Sequence, residues 1–202
     1  DCDYAGTYNT YSEAIDKLSL QYKDVLHVFA AGNDGLTTCE PYPAGYATVV
    51  GAYQAAKNCL VVTSTDKNYV NAKDGGRGPI KDGRLKPEIT AVGVDVMSTT
   101  KVDSYLVSGG TSMACPGVAG GLALLSERYK QINGNVNAPA NILKALILNT
   151  STDIGNPGPD YTFGFGFMNV AKAINALNNN QYVSGSVSNG GQQTYTVNVP
   201  PN

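Results

Sequence analysis

The stretch Ser108-Gly109-Gly110-Thr111-Ser112-Met113-Ala114-Cys115-Pro116-Gly117-Val118-Ala119-Gly120 decides how this chain is to be read. Two glycines make a turn, a serine follows, and the run from Val118 to Leu125 continues in Ala, Gly, Leu and Val, the composition of a buried helix. A hydroxyl at a helix start lies among backbone N–H groups with no intrahelical partner, at the positive end of the helix dipole. That setting suits a nucleophile and the anion it generates. A capping serine would explain one position of this stretch and leaves the rest of the pattern unexplained.

Working outward, Ser104–Ser108 reads as a strand leading into the turn, and Thr111–Gln131 as one long helix with Pro116 in its first turns, where a missing N–H costs little. Upstream, a helix capped by Thr10 or Ser12 runs to Tyr22, with Ala14, Ile15, Leu18 and Tyr22 at helical spacing. Val25–Ala31 is an apolar run ending in a glycine turn, the pattern of a buried parallel strand. Further strands are expected at Thr48–Ala52, Cys59–Ser64 and Glu88–Ala91, and further helices at Ala138–Asn149 and at Asn169–Leu177, the last capped by Asn169. Strands alternating with helices predict an α/β fold, a mostly parallel sheet with helices on both faces. In such sheets ligands gather at the C-terminal ends of strands. Asn33 and Ser112 each follow an expected strand, which puts both on one functional edge. The glycines beside them, Gly32 and Gly35, Gly109 and Gly110, permit close approach of another backbone.

The pattern changes after Leu177. Asn178-Asn179-Asn180-Gln181 reads as a polar linker, and Tyr182–Val187 and Gln193–Val199 as the first strands of a β-sandwich-like segment. The division expected is therefore 1–177 and 178–202.

The 202 residues are 15% charged with a formal net charge of −2; no basic block points to nucleic acid, and no acidic tract to a solvating tail. No apolar run reaches the ~18 residues of a membrane span. Cys2, Cys39, Cys59 and Cys115 show no metal spacing. Cys59 and Cys115 read as packed thiols, and Cys2 with Cys39 as a bridge across loops, Cys39 with Cys59 being the other pairing open to the sequence. Asp66, Asn68, Asn71 and Asp74, and again Asp153, Asn156 and Asp160, are oxygen-rich groups that admit calcium, although turn formation accounts for them better and neither has an ion-binding spacing.

Four ordered segments resemble one family. Gly110-Thr111-Ser112-Met113-Ala114-x-Pro116-x-Val118-Ala119-Gly120 resembles the nucleophile signature of the subtilisin-like serine proteases, the subtilases. Val28-Phe29-Ala30-Ala31-Gly32-Asn33-Asp34-Gly35 resembles the segment that carries their oxyanion asparagine. Gly76-Arg77-Gly78-Pro79 through Asp82-Gly83-Arg84-x-Lys86-Pro87-Glu88-Ile89-x-Ala91-x-Gly93, and Tyr161-x-Phe163-Gly164-Phe165-Gly166-Phe167-Met168-Asn169, resemble the loop before the serine and the closing segment. Gly117 and Val92 depart from the residues common there, histidine and proline, without touching the chemistry.

The resemblance implies a serine endopeptidase acting on polypeptides, with Ser112 as nucleophile and Asn33 in the oxyanion hole. It further implies that Ala30, Ala31 and Gly32 form one wall of the pocket for the residue before the scissile bond, with room for a fairly large side chain, and that Gly110 and Thr111 adjoin the substrate. A secreted or cell-surface protein of bacterial type is expected. The family's histidine and aspartate segments, His-Gly-Thr-His and Asp-Ser-Gly or Asp-Thr-Gly, are absent. They precede the asparagine strand in that family, so the chain is expected to be the C-terminal part of a catalytic domain, inert without its N-terminal half. His27 is the one histidine. It stands six residues before Asn33 on an expected strand, roughly 20 Å away at ~3.3 Å per residue, out of reach of Ser112. The other readings open to the sequence are a pseudo-protease that binds peptides, and a structural or carbohydrate-binding module suggested by the tail.

Overall fold

The computed structural model of the chain describes residues 1–196. Three parallel strands form its centre: β1 (Val28–Ala30), β2 (Leu60–Thr65) and β3 (Ile89–Val92), hydrogen-bonded in that order. Val28 pairs with Leu60, and Val62 with Ile89. Every residue of β2 is buried, the apolar Leu60–Val62 and the hydroxyl residues Thr63, Ser64 and Thr65 alike, because the strand is covered on both faces. On one face β2 and β3 pack against α2 (Thr111–Ile132), α3 (Ala140–Asn149) and α4 (Val170–Asn178) through Leu60, Val62, Ile89, Val118, Leu125 and Ile147. On the other, Ile15 of α1 (Thr10–Gln21) meets Val49, Val61 and Ile80. Helices on both faces of a parallel sheet are the expected fold class.

Several local expectations are corrected. Asn9, rather than Thr10 or Ser12, caps α1. Its side chain accepts from the Tyr11 N–H, while the Ser12 hydroxyl accepts from the Asn9 N–H. Thr48–Ala52 is no strand: the Thr48 N–H goes to Arg77 O and the Val50 N–H to Ala31 O, and Ala52, at φ 71°, turns the chain into a short 3-10 helix, Ala52–Ala55. Ser104–Ser108 is a strand, β5, but it pairs antiparallel with β4 (Val96–Thr100), away from the parallel sheet. Pro116 is the sixth residue of α2 and so leaves the Ser112 carbonyl without its i+4 donor. Residues 179–196 contain no helix or strand, Tyr182–Val187 included, and the expected strand Gln193–Val199 runs into residues 197–202, outside the described part. A strand without a partner has no ladder to hold it.

Cys2 and Cys39 are bridged, and Cys59 and Cys115 are free. In the chain-entropy account, closing a loop of this length contributes about 4 kcal/mol.

Asp16 ties α1 to the turn before β2. Its carboxylate accepts from the backbone N–H of Lys57 (2.9 Å) and Asn58 (2.8 Å), and from the Tyr8 hydroxyl (2.9 Å). Burial pushes its pKa up, but these donors outweigh burial and hold it below the ordinary range. A carboxylate with a depressed folded pKa contributes stability above its unfolded pKa, near 3.9, and loses it as pH falls through the lower folded value. Urea unfolding followed from about pH 6 down to pH 2 is expected to show that loss, and Asp16→Asn to flatten it. An acid limb of unchanged steepness in the variant would assign the loss to other groups.

Candidate active site

β1 ends at Ala30, and the chain turns at Gly32, φ 101°, to present Asn33 beyond the C-terminal end of the strand. β3 ends at Val92, and the Gly93 carbonyl accepts from the Gly110 N–H at 2.7 Å. The β4–β5 hairpin thus leaves the sheet at Gly93 and returns the chain to the same point. Gly93 is a contact the sequence left without a role. A Cβ there would lie 2.6 Å from the Gly110 carbonyl and 3.1 Å from the Ala114 Cβ, so only glycine lets the hairpin close on the helix start.

Gly110, at φ 133°, precedes α2, and a Cβ on it would stand 3.2 Å from both Nδ2 and Oδ1 of Asn33. Thr111, the first residue of α2, is fully buried and fixes the asparagine from two sides. Its backbone N–H (3.0 Å) and its hydroxyl (3.1 Å) both donate to Asn33 Oδ1, and the hydroxyl accepts from the Gly32 N–H at 3.2 Å. With Oδ1 so engaged, the amide can present only its NH₂ group outward. Thr111, which the resemblance places beside the substrate, also fixes the orientation of the Asn33 side chain.

Ser112, the second residue of α2, is exposed. Among the described residues no protein group accepts from its backbone N–H or from Asn33 Nδ2. Two uncommitted N–H donors and a hydroxyl thus converge at the N-terminus of a 22-residue helix that has no acidic residue in its first turn. Negative charge developing on an oxygen here would meet donors already in place and the positive end of the helix.

The three residues expected to form a pocket wall differ in their surroundings. Ala31 is fully buried among Ile15, Val49 and Val61, its N–H bonded to Val62 O and its carbonyl to the Val50 N–H. Ala30 is half-buried, and its carbonyl accepts from Gln54 Nε2 at 3.1 Å. A Cβ on Gly32 would collide with Cγ2 of Val50, so an isopropyl group already covers the space beside Gly32.

His27 lies at the opposite end of the sheet. Its carbonyl accepts from the Leu60 N–H where β2 begins, and its Nδ1 stands 3.4 Å from the Ser19 hydroxyl. The structure does not bring it to Ser112.

In both oxygen-rich loops carboxylates are engaged by backbone donors. The Asp66 carboxylate accepts from the N–H groups of Asn68 and Val70, and that of Asp160 from those of Asn156, Thr162 and Phe163. Among the described residues no three acidic, histidine or cysteine side chains converge in a metal-binding group. Nor, among them, is any helix long and apolar enough to cross a membrane.

Comparison with known proteins bears on the same residues. The Subtilase family matches this chain over residues 3–166. A thermostable alkaline protease of Halalkalibacterium halodurans is 33% identical over 149 residues, 74% of this chain and 34% of that protein. Subtilisin BL of Lederbergia lenta is 34% identical over 164 residues, 81% of this chain and 51% of that protein. The chain thus spans about half, or less, of the length of these relatives. Among solved structures, the prenylagaramide maturation protease PagA superposes with a TM-score of 0.66 at 23% identity, over 86% of this chain and 57% of that one, a likeness of fold. The Clostridium perfringens CspB protease gives 0.62 at 26% identity, over 69% of this chain and 31% of its own.

Proposed function

The chain belongs to the subtilase family, and from that premise we propose that it carries the nucleophile and the oxyanion hole of a serine endopeptidase. Ser112 Oγ attacks the scissile carbonyl of a polypeptide and forms an acyl-enzyme. The Asn33 amide and the Ser112 backbone N–H hold the tetrahedral oxyanion. One observation carries this reading: Thr111 clamps Asn33 Oδ1 so that both free donors sit at the N-terminus of α2.

The proton of Ser112 needs a base within ~3 Å. His27 cannot reach, so base and orienting carboxylate come from polypeptide N-terminal to Asp1. That segment is also the partner the sheet lacks. In a parallel ladder alternate residues turn their backbone groups to opposite edges. Val28 and Ala30 therefore face the edge of β1 away from β2, where among the described residues no strand pairs. A strand from the N-terminal half of the catalytic domain completes the sheet there. Residues 1–177 are read as the C-terminal part of that domain, and 178–202 as the way into a β-rich segment. A secreted or cell-surface location accords with the Cys2–Cys39 bridge.

The test is to label the polypeptide extended upstream of Asp1 with a fluorophosphonate and map the adduct. Modification of Ser112 is expected; a well-folded extended protein that takes no label would instead be a peptide-binding pseudo-protease. Asn33→Ala is expected to lower turnover by roughly 10²–10³ with little change in KM, a magnitude carried over from the equivalent donor of subtilisin. Steady-state kinetics on peptide substrates check this, and an unaltered kcat would remove Asn33 from the oxyanion hole.

A further inference from the structure

At the N-terminal ends of β2 and β3, remote from Ser112, four side chains meet that peptide hydrolysis does not use. Lys86 Nζ lies 2.8 Å from Glu88 Oε2 and 3.5 Å from Cys59 Sγ, and Lys144 Nζ lies 2.6 Å from Glu88 Oε1. Cys59 is fully buried and Lys86 is only 2% exposed. The Cys59 thiol is directed at the Ala56 carbonyl (3.4 Å), which leaves its lone pairs to face the Lys86 amine. Counted formally, two cations share one carboxylate, so the cluster holds one positive charge in excess, and only Lys144 reaches solvent appreciably.

We propose that Cys59 and Lys86 are a site of oxidative cross-linking, in which dioxygen joins Sγ to Nζ through a single oxygen atom as an N–O–S bridge. The protonated amine and the thiol react with one dioxygen to give the bridge, one water and one proton. The S–H bond and two N–H bonds break, and N–O and O–S bonds form. Sulfur and nitrogen each give up two electrons, and dioxygen takes all four.

Three features of the cluster favour this product. Lys86 becomes uncharged, and the remaining Lys144–Glu88 pair is balanced. Burial shuts out bulky thiols, so Cys59 cannot exchange into a disulfide, whereas dioxygen is small and apolar. Burial also pushes the Cys59 thiol pKa up, with Lys86 opposing, which slows the thiolate route to sulfinic acid. Cys115, free and half-buried, accepts from no lysine among the described residues and serves as the internal control. The bridge would fasten the start of β2 to the approach of β3 across 27 residues, a staple that thiols can release only once the protein is unfolded.

The experiment uses the polypeptide extended upstream of Asp1 with Ser112→Ala, which prevents self-digestion. One portion is saturated with dioxygen for several days and another is kept anaerobic. Each is then denatured, alkylated without reductant and digested with trypsin. The expected product in the oxygenated sample alone is peptide 58–67 joined to peptide 85–101, heavier than their sum by one oxygen atom less two hydrogens. Dithiothreitol should separate the two, Cys59→Ser should abolish the product, and Cys115→Ser should leave it. Recovery of Cys59 wholly as its alkylated peptide from the oxygenated sample would overturn the proposal. So would a join lacking the oxygen atom.

Discussion

Ser112→Ala, made in the polypeptide extended upstream of Asp1, is expected to lower peptide-bond hydrolysis by about 10⁶ and to abolish fluorophosphonate labelling. The magnitude is that found when the nucleophile of subtilisin is removed, carried over to this chain rather than computed for it. The structure supplies the reason why the loss should be confined to chemistry. Ser112 is exposed, its hydroxyl is bonded to no neighbour among the described residues, and it stands second in a helix whose first turn is fixed by Thr111 and Gly110. Removing its hydroxyl leaves the Asn33 clamp and the Gly93–Gly110 bond intact, so melting temperature and substrate affinity should hold while kcat collapses. The residual rate over water should be roughly 10³–10⁴, from the oxyanion donors and from binding. His27→Gln should leave hydrolysis unchanged. Activity that survives Ser112→Ala but falls with His27→Gln would place the chemistry at the other end of the sheet and sink the assignment.

Glu88→Ala is expected to destabilise the same polypeptide by about 3–5 kcal/mol, the usual cost of stranding a buried charge by removing its partner. Glu88 is 7% exposed, and its carboxylate accepts from Lys86, Lys144 and the Val61 N–H. Without it Lys86 keeps only the Cys59 carbonyl and sulfur, both at hydrogen-bond limits of 3.4 and 3.5 Å. Calorimetry on the Ser112→Ala background should show a melting temperature lower by several degrees. Converting Lys86 and Glu88 together to methionine should recover most of the loss, because a well-packed apolar replacement spares both desolvation costs. If Glu88→Ala melts within about a degree of the parent, the cluster is solvated and contributes little.

Much of this arrangement was legible because the residues that build it are also the residues that restrict local structure. The apolar run at β2 admits a buried strand, and the glycines before Ser112 admit only a turn into a helix. The β4 strand escaped because its signal lies in the turn. Val102 (φ 63°) and Asp103 (φ 49°) take the paired positive angles that hairpins usually reserve for Asn-Gly. Val49 and Val50 carry the β-branched signature of a strand, yet their N–H groups are divided between Arg77 and Ala31, a division set by tertiary contacts. At the site, Asn33 and Ser112 announce themselves by motif. The role of Thr111 does not, since its partner lies 78 residues away in sequence. The same is true of Val50, whose cover over Gly32 exists only once the chain has folded back.

That separation of 78 residues bears on how such a protein is made. Asn33 leaves the ribosome long before Thr111, and at 5–20 residues per second the interval is on the order of 4–16 s. During it the asparagine has nothing to fix its orientation, and the loop around it is an unfinished turn. The donors come into register only after α2 has closed over β1, β2 and β3, the kind of non-local pairing that folds late. The Thr111–Asn33 contact therefore exists only once all three strands and the start of α2 have been made.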